Sequence, residues 1–185
     1  KEDKMKILMI VGSTRKNSFN MQLAKKAAEL ISDKAEVSFL DYASIPLMNQ
    51  DIEFPAPEEI AKIRAEVKAA DGLWFFTPEY NHSYPGMLKN LVDWLSRPVE
   101  PGNYATGRVI AGKKAALSGA AGKSKAGFAR EKLRELLSFI SVKVLEEEAG
   151  VELTPESFQT DKLNMREEEL AQLKLEAEAF VKFLS

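Results

Sequence analysis

The stretch Lys6-Ile7-Leu8-Met9-Ile10-Val11 is apolar from Ile7 onward without a break and stops at Gly12. A run this short, with no polar alternation, suits a strand buried on both faces of a parallel sheet. The pattern recurs at Gly72-Leu73-Trp74-Phe75-Phe76-Thr77 and Lys114-Ala115-Ala116-Leu117-Ser118, and more briefly at Val37-Ser38-Phe39-Leu40 and Val142-Lys143-Val144-Leu145. Between these runs the apolar residues step at helical intervals. Leu23, Ala27, Leu30 and Ile31 predict a helix from about Ser18 to Ile31. Ile60, Ile63 and Val67 follow Pro57, which reads as a first helical residue. Leu88, Leu91, Val92 and Leu95 follow Pro85, and Pro98 stops them. Phe128, Leu133, Leu136 and Leu137 mark a fourth helix. The last carries Leu170, Leu173, Ala177, Phe180, Val181 and Leu184, with Asn164 as its cap and Glu167 three residues on. Five strands alternating with helices predict one α/β domain over residues 1–185: a doubly wound five-stranded parallel sheet with helices on both faces.

Charge and composition narrow the function. There are 26 Lys and Arg against 28 Asp and Glu, a net charge of −2, so the basic surplus that nucleic acid demands is missing. With no cysteine, thiolate metal sites, disulfides and cysteine nucleophiles are excluded. A single histidine, His82, cannot build a His-rich metal site and by itself reads as structural. No apolar stretch is long enough for a signal segment or a membrane span, so the expectation is a cytoplasmic protein without membrane or nucleic-acid partners.

In an open parallel sheet the ligand lies beyond the carboxyl ends of the strands. Three loops follow such ends. The first, Gly12 to Ser18, leads into a helix N-terminus, where free N–H groups and the helix dipole favour an anion. Ser13, Thr14, Ser18 and Asn20 supply short hydrogen-bonding side chains, and Arg15 supplies a fork suited to phosphate. An ordinary capped loop with a solvated arginine is the alternative. The loop is neither a Walker A sequence nor the dinucleotide fingerprint, because Gly12 has no companion glycines. The second loop, Thr77-Pro78-Glu79-Tyr80-Asn81-His82-Ser83-Tyr84-Pro85-Gly86, is stiffened by two prolines and is suited to line a planar heterocycle, or else is a rigid, locally packed turn. The third, Gly119 to Gly127, is built of small residues that let a flat ligand approach the backbone, or is simply flexible. Gly122-Lys123-Ser124 fails as a phosphate loop because Leu117 stands where the earlier glycine belongs. No side-chain triad or carboxylate pair emerges, so the chemistry is expected to reside in a cofactor, with no catalytic side chain and no metal.

These residues together resemble a known family. Gly12-Ser13-Thr14-Arg15 with Ser18 and Asn20, then Thr77-Pro78-Glu79-Tyr80-Asn81, Ser83, Pro85-Gly86, Leu88-Lys89-Asn90, Asp93-Trp94 and Ser96-Arg97-Pro98, closely resemble the NADPH-dependent FMN reductases, in the flavodoxin-like branch of quinone, azo and chromate reductases. The resemblance covers nearly the whole chain. It implies that Ser13, Arg15, Ser18 and Asn20 hold the phosphate of FMN, with Gln22 assisting. It implies that Pro78, Glu79, Tyr80 and Asn81 line the ring and ribityl chain, and that Ser118 and Gly119 approach the other ring edge. It further implies NADPH or NADH as co-substrate, a ping-pong hydride mechanism, a small acceptor such as a quinone, azo compound or chromate, and a homodimer or homotetramer. The helix after Pro85, with Trp94 facing either out or in, is a candidate contact surface. The rival readings are a flavodoxin-type electron carrier without NAD(P)H oxidation, and a binding protein that keeps the fold without the cofactor. Arg15 and the near-neutral charge favour the enzyme.

Overall fold

The computed structural model describes residues 4–105 and 107–185. Five strands, β1 (Met5–Val11), β2 (Ala35–Phe39), β3 (Gly72–Thr77), β4 (Lys114–Ala121) and β5 (Lys143–Glu152), form one sheet in the order β2-β1-β3-β4-β5. Every pairing is parallel. This is the flavodoxin-like order, whose switch point lies between β1 and β3. Among the described residues six α-helices accompany the sheet: α1 (Phe19–Leu30), α2 (Glu58–Ala69), α3 (Gly86–Leu95), α4 (Gly127–Phe139), α5 (Pro155–Thr160) and α6 (Glu167–Leu184).

Strand periodicity of two divides the central strands between two cores. Leu8, Ile10, Leu73, Phe75, Ala115 and Leu117 face α2, α3 and α4, meeting Ile63, Val67, Leu88, Leu91, Leu133 and Leu137. Ile7, Met9, Trp74, Phe76 and Ala116 face α1 and α6, meeting Leu23, Ala27, Leu173 and Phe180. Double-sided burial is why β1, β3 and β4 read as unbroken apolar runs.

Three boundaries and one added helix differ from the sequence expectation. β4 continues through Gly119, Ala120 and Ala121, so the third loop is shorter than its composition suggested. β5 runs on to Glu152 past a register shift opposite Ala115 and Leu117; as an edge strand with exposed glutamates it lacks an apolar run to follow. The helix α5 adds a single short turn after it. α6 starts at Glu167 rather than at Asn164, because Glu169, buried, accepts from the Arg166 amide at 2.9 Å and from the Glu152 amide at 3.0 Å. One carboxylate thus anchors both the end of β5 and the start of α6. Of the two orientations open to Trp94 the structure has the inward one: the side chain is fully buried, and its indole N–H donates to the Pro46 carbonyl at 2.8 Å. It therefore offers no surface to a partner.

Candidate functional site

The carboxyl ends of β1, β3 and β4 open into a cleft of roughly 280 Å³ on the switch-point side of the sheet. Its walls are Ser13, Arg15, Ser18, Phe19 and Asn20 from the first loop and α1, Pro78, Glu79 and Tyr80 from the second, and Ala120, Ala121 and Gly122 from the end of β4. Leu153 and Phe158, beyond β5, close the remaining side.

The first wall is held by local hydrogen bonds. Ser18 caps α1, its Oγ accepting from the Met21 amide at 3.3 Å. The side chain of Asn20, itself buried, grips strand β4: Nδ2 donates to the Ala120 carbonyl at 3.1 Å and Oδ1 accepts from the Ala120 amide at 2.9 Å. Asn20 thereby fixes the spacing between the first and third walls. Gly12 is required where β1 ends, since a Cβ there would lie 2.7 Å from Leu88 Cδ1. The buried Tyr42 hydroxyl donates to the Val11 carbonyl at 2.6 Å, and burial raises its pKa above the ordinary phenol value. Among the described residues the amides of Thr14, Lys16 and Asn17 find no acceptor. In the first turn of α1 the Met21 amide is taken by Ser18, but among the described residues the Phe19 and Asn20 amides are likewise unspent, and that turn holds no acidic residue to neutralise them. Arg15 lies over the Phe19 ring, 4.7 Å from its centroid, and its Nη1 meets Asp161 Oδ1 at 2.7 Å.

The second wall is a tight hairpin. Tyr80 and Ser83 exchange backbone hydrogen bonds of 2.8 and 3.0 Å across Asn81 and His82, whose φ angles are 52° and 57°. Two positive φ values give a type I′ turn, for which Asn is well suited. Glu79 turns away to bind the third loop and α4: Oε1 accepts from Ser124 Oγ at 2.7 Å and Oε2 from the Ala129 amide at 3.1 Å. That second bond serves the N-terminus of α4, whose cap position, Ala126, has no side-chain acceptor. His82 stacks on Phe128 with centroids 4.2 Å apart.

Seven of the predicted residues, Ser13, Arg15, Ser18, Asn20, Pro78, Glu79 and Tyr80, thus meet in one cleft. Gln22, Asn81, Ser118 and Gly119 do not line it. Gln22 reaches the residues after α5 instead, donating to the Asp161 carbonyl at 3.2 Å and accepting from the Leu163 amide at 2.8 Å. Asn81 sits at the exposed tip of its turn. Ser118 points into the core beneath the sheet, bonded to Trp74 Nε1 at 2.9 Å and to Glu176 Oε2 at 2.7 Å. Gly119 is packed against backbone: an added Cβ would stand 2.6 Å from the Thr77 carbonyl oxygen. Sequence reasoning missed Phe19, Ala120, Ala121, Gly122, Leu153 and Phe158. The signal for Ala120 to Gly122 was present in the small-residue run, offset by the true length of β4. Phe158 lies on a helix too short to show periodicity.

The sequence profile of the NADPH-dependent FMN reductases matches residues 5–155. The chain belongs to that family. An NAD(P)H-dependent FMN reductase of Pseudomonas aeruginosa is 38% identical over 142 residues, covering 76% of this chain and 73% of that protein. A 2-hydroxy-1,4-benzoquinone reductase of a Burkholderia species is 45% identical over 94 residues, 51% of each chain, so this alignment spans about half of that relative. The structure of FerB, a flavoenzyme NAD(P)H:(acceptor) oxidoreductase from Paracoccus denitrificans, superposes with a TM-score of 0.84 over 97% of both chains at 30% identity. The cleft suits the flavin of such a family. Unspent amides and a guanidinium lie at one end, and small residues that admit a flat ring, together with Pro78 and Tyr80, lie at the other.

Proposed function

We propose that this chain binds FMN in the cleft and oxidises NADH or NADPH to reduce small acceptors, quinones foremost, in two successive half-reactions. The observation that carries the reading is the convergence at the switch point of an amide-rich loop with Arg15 and a small-residue strand end, in a chain of this family. When bound, FMN supplies the hydride chemistry: it accepts from the nicotinamide and passes the electrons to the acceptor.

The protein's own share is binding, orientation and exclusion. Arg15, the amides of Thr14, Lys16 and Asn17, and the first turn of α1 would receive the phosphate. Ser13 would assist, and Ser18 and Asn20 hold the loop and the strand end in register. Pro78 and the hairpin behind it form a stiff edge for the ring. Ala120, Ala121 and Gly122 allow close approach, while Leu153 and Phe158 keep water from the far side. Tyr80 stands half exposed at the mouth, beside the space through which nicotinamide and acceptor would exchange. Gln22, Asn81, Ser118 and Gly119 would then act through the elements they brace. Azo compounds and chromate as acceptors, and assembly as a homodimer or homotetramer, belong to the same proposal. So does a cytoplasmic setting; among the described residues no helix is long and apolar enough to cross a membrane.

Steady-state kinetics tests the proposal. FMN-loaded protein is expected to oxidise NADH or NADPH when a benzoquinone is present, with parallel double-reciprocal lines as quinone is varied. Absence of nicotinamide oxidation with every quinone tried would leave the electron-carrier reading in its place.

A further inference from the structure

The phosphate-side loop is not free-standing. Three of its neighbours in sequence, Arg15, Asn17 and Gln22, converge on one residue from the far end of the chain. Asp161 closes α5 in the left-handed conformation, φ 54°. Its Oδ1 accepts from Arg15 Nη1 at 2.7 Å and its Oδ2 from Asn17 Nδ2 at 2.7 Å. Its carbonyl accepts from Asn17 Nδ2 at 2.8 Å and from Gln22 Nε2 at 3.2 Å. Gln22 completes the tie through the Leu163 amide. The Asn17 and Arg15 hydrogen bonds hold the Asp161 carboxyl below the usual carboxylate range. The acceptor side of this latch, Asp161 with Leu163, lies beyond residue 155, where the match to the family ends, whereas Arg15, Asn17 and Gln22 lie within it.

The placement of the carboxylate decides what it can do. Arg15 lines the cleft and Asp161 does not. A carboxylate occupying the seat of an incoming anion would stand inside the cleft, in front of the guanidinium. Asp161 instead takes one nitrogen of Arg15 from outside, leaving the others available, while the Phe19 ring supports the plane at 4.7 Å. A long arginine side chain that would otherwise sample many rotamers is held in one. Asn17 is fixed at the same time, and with it the backbone whose Lys16 and Asn17 amides have no acceptor among the described residues.

We propose that Asp161 is a positioning residue for phosphate recognition, holding Arg15 and Asn17 in the arrangement that receives the phosphate of FMN. The inference rests on the FMN reading above. It assigns to the segment after α5 a part in selecting FMN over riboflavin, the same ring system without the phosphate.

The test is an equilibrium titration of the flavin-free full chain, followed by quenching of flavin fluorescence, with FMN and separately with riboflavin. D161A is expected to weaken FMN binding about tenfold, the loss typical of a charge-assisted hydrogen bond, while riboflavin affinity stays within about twofold. D161N keeps the size and one acceptor and should fall between; it is the variant to read should D161A lower the melting temperature. Combining D161A with Arg15→Ala should cost less than the two single losses together, because both act on one guanidinium. Tighter FMN binding in D161A would make the carboxylate a competitor and overturn the proposal. So would unchanged FMN affinity, an equal loss for both flavins, or strict additivity with Arg15→Ala. Wild-type protein that binds FMN no better than riboflavin would also overturn it, whereas wild-type protein that binds neither flavin would instead remove the FMN reading itself.

Discussion

At the scale of single residues, the buried Glu176 is the group most exposed to a change of pH. It lies on α6 beneath the cleft end of β4, fully buried, with Ser118 Oγ donating to its Oε2 at 2.7 Å and its Oε1 unpartnered among the described residues. Burial raises its pKa well above the ordinary carboxylate value; Ser118, Arg130 and Trp74 pull it down and Glu148 pushes it up, without reversing the direction. At a pH between the unfolded and folded pKa values, the folded protein therefore holds a proton that the unfolded chain has released. Stability from this group is complete below the unfolded pKa and is lost as pH rises toward the folded one. Glu176→Gln removes the titration and keeps an acceptor for Ser118. Urea unfolding at pH 5, 7 and 9 should show the variant gaining on the wild type as pH rises. Parallel pH profiles would show that the carboxyl is ionised in the fold. Arg15 and Asp161, by contrast, form a pair with both side chains about half exposed, and such a pair contributes at most about 1 kcal/mol to stability. Its consequence belongs to binding.

At the scale of elements, the end of β4 shows how closely the two neighbouring loops are packed. Alanine at Gly119 would set a methyl 2.6 Å from the Thr77 carbonyl oxygen and 2.6 Å from Ala126 Cβ, atoms that cannot rotate away. Gly119→Ala should lower stability by about 1–3 kcal/mol, the ordinary cost of overpacking. Gly122→Ala meets no atom within 4 Å and should melt within about 0.5 kcal/mol of wild type. Equal melting of the two variants would contradict this packing. The same strand end shows what the sequence can and cannot reveal. The first loop was legible because its cap, its arginine and its strand end are consecutive, so local chemistry names them directly. The β1 and β3 runs were legible because both faces are buried. β5 was cut short in the reading because an edge strand bearing Glu146, Glu147 and Glu148 has no apolar run. With its end misplaced, Leu153, Phe158 and Asp161 had no frame in which to be seen. Ser118 and Gly119 read as loop residues because small size is common to loops and to tightly packed strand ends.

At the scale of the molecule, the strand order, the open cleft at the switch point and the family match lead to the same reading. The sheet places loops from three strands side by side, Asn20 and Glu79 tie those loops together, and the latch at Asp161 returns the C-terminal segment to the first loop. In this account these groups brace the site, and the chemistry is carried by a bound flavin. The most direct measurement follows the visible absorbance of the FMN-loaded protein without oxygen. The colour should bleach when NADH or NADPH is added with no acceptor present, and return when a quinone follows. A protein whose colour bleaches with dithionite but with neither nicotinamide, or one that takes up no FMN at all, would contradict the account.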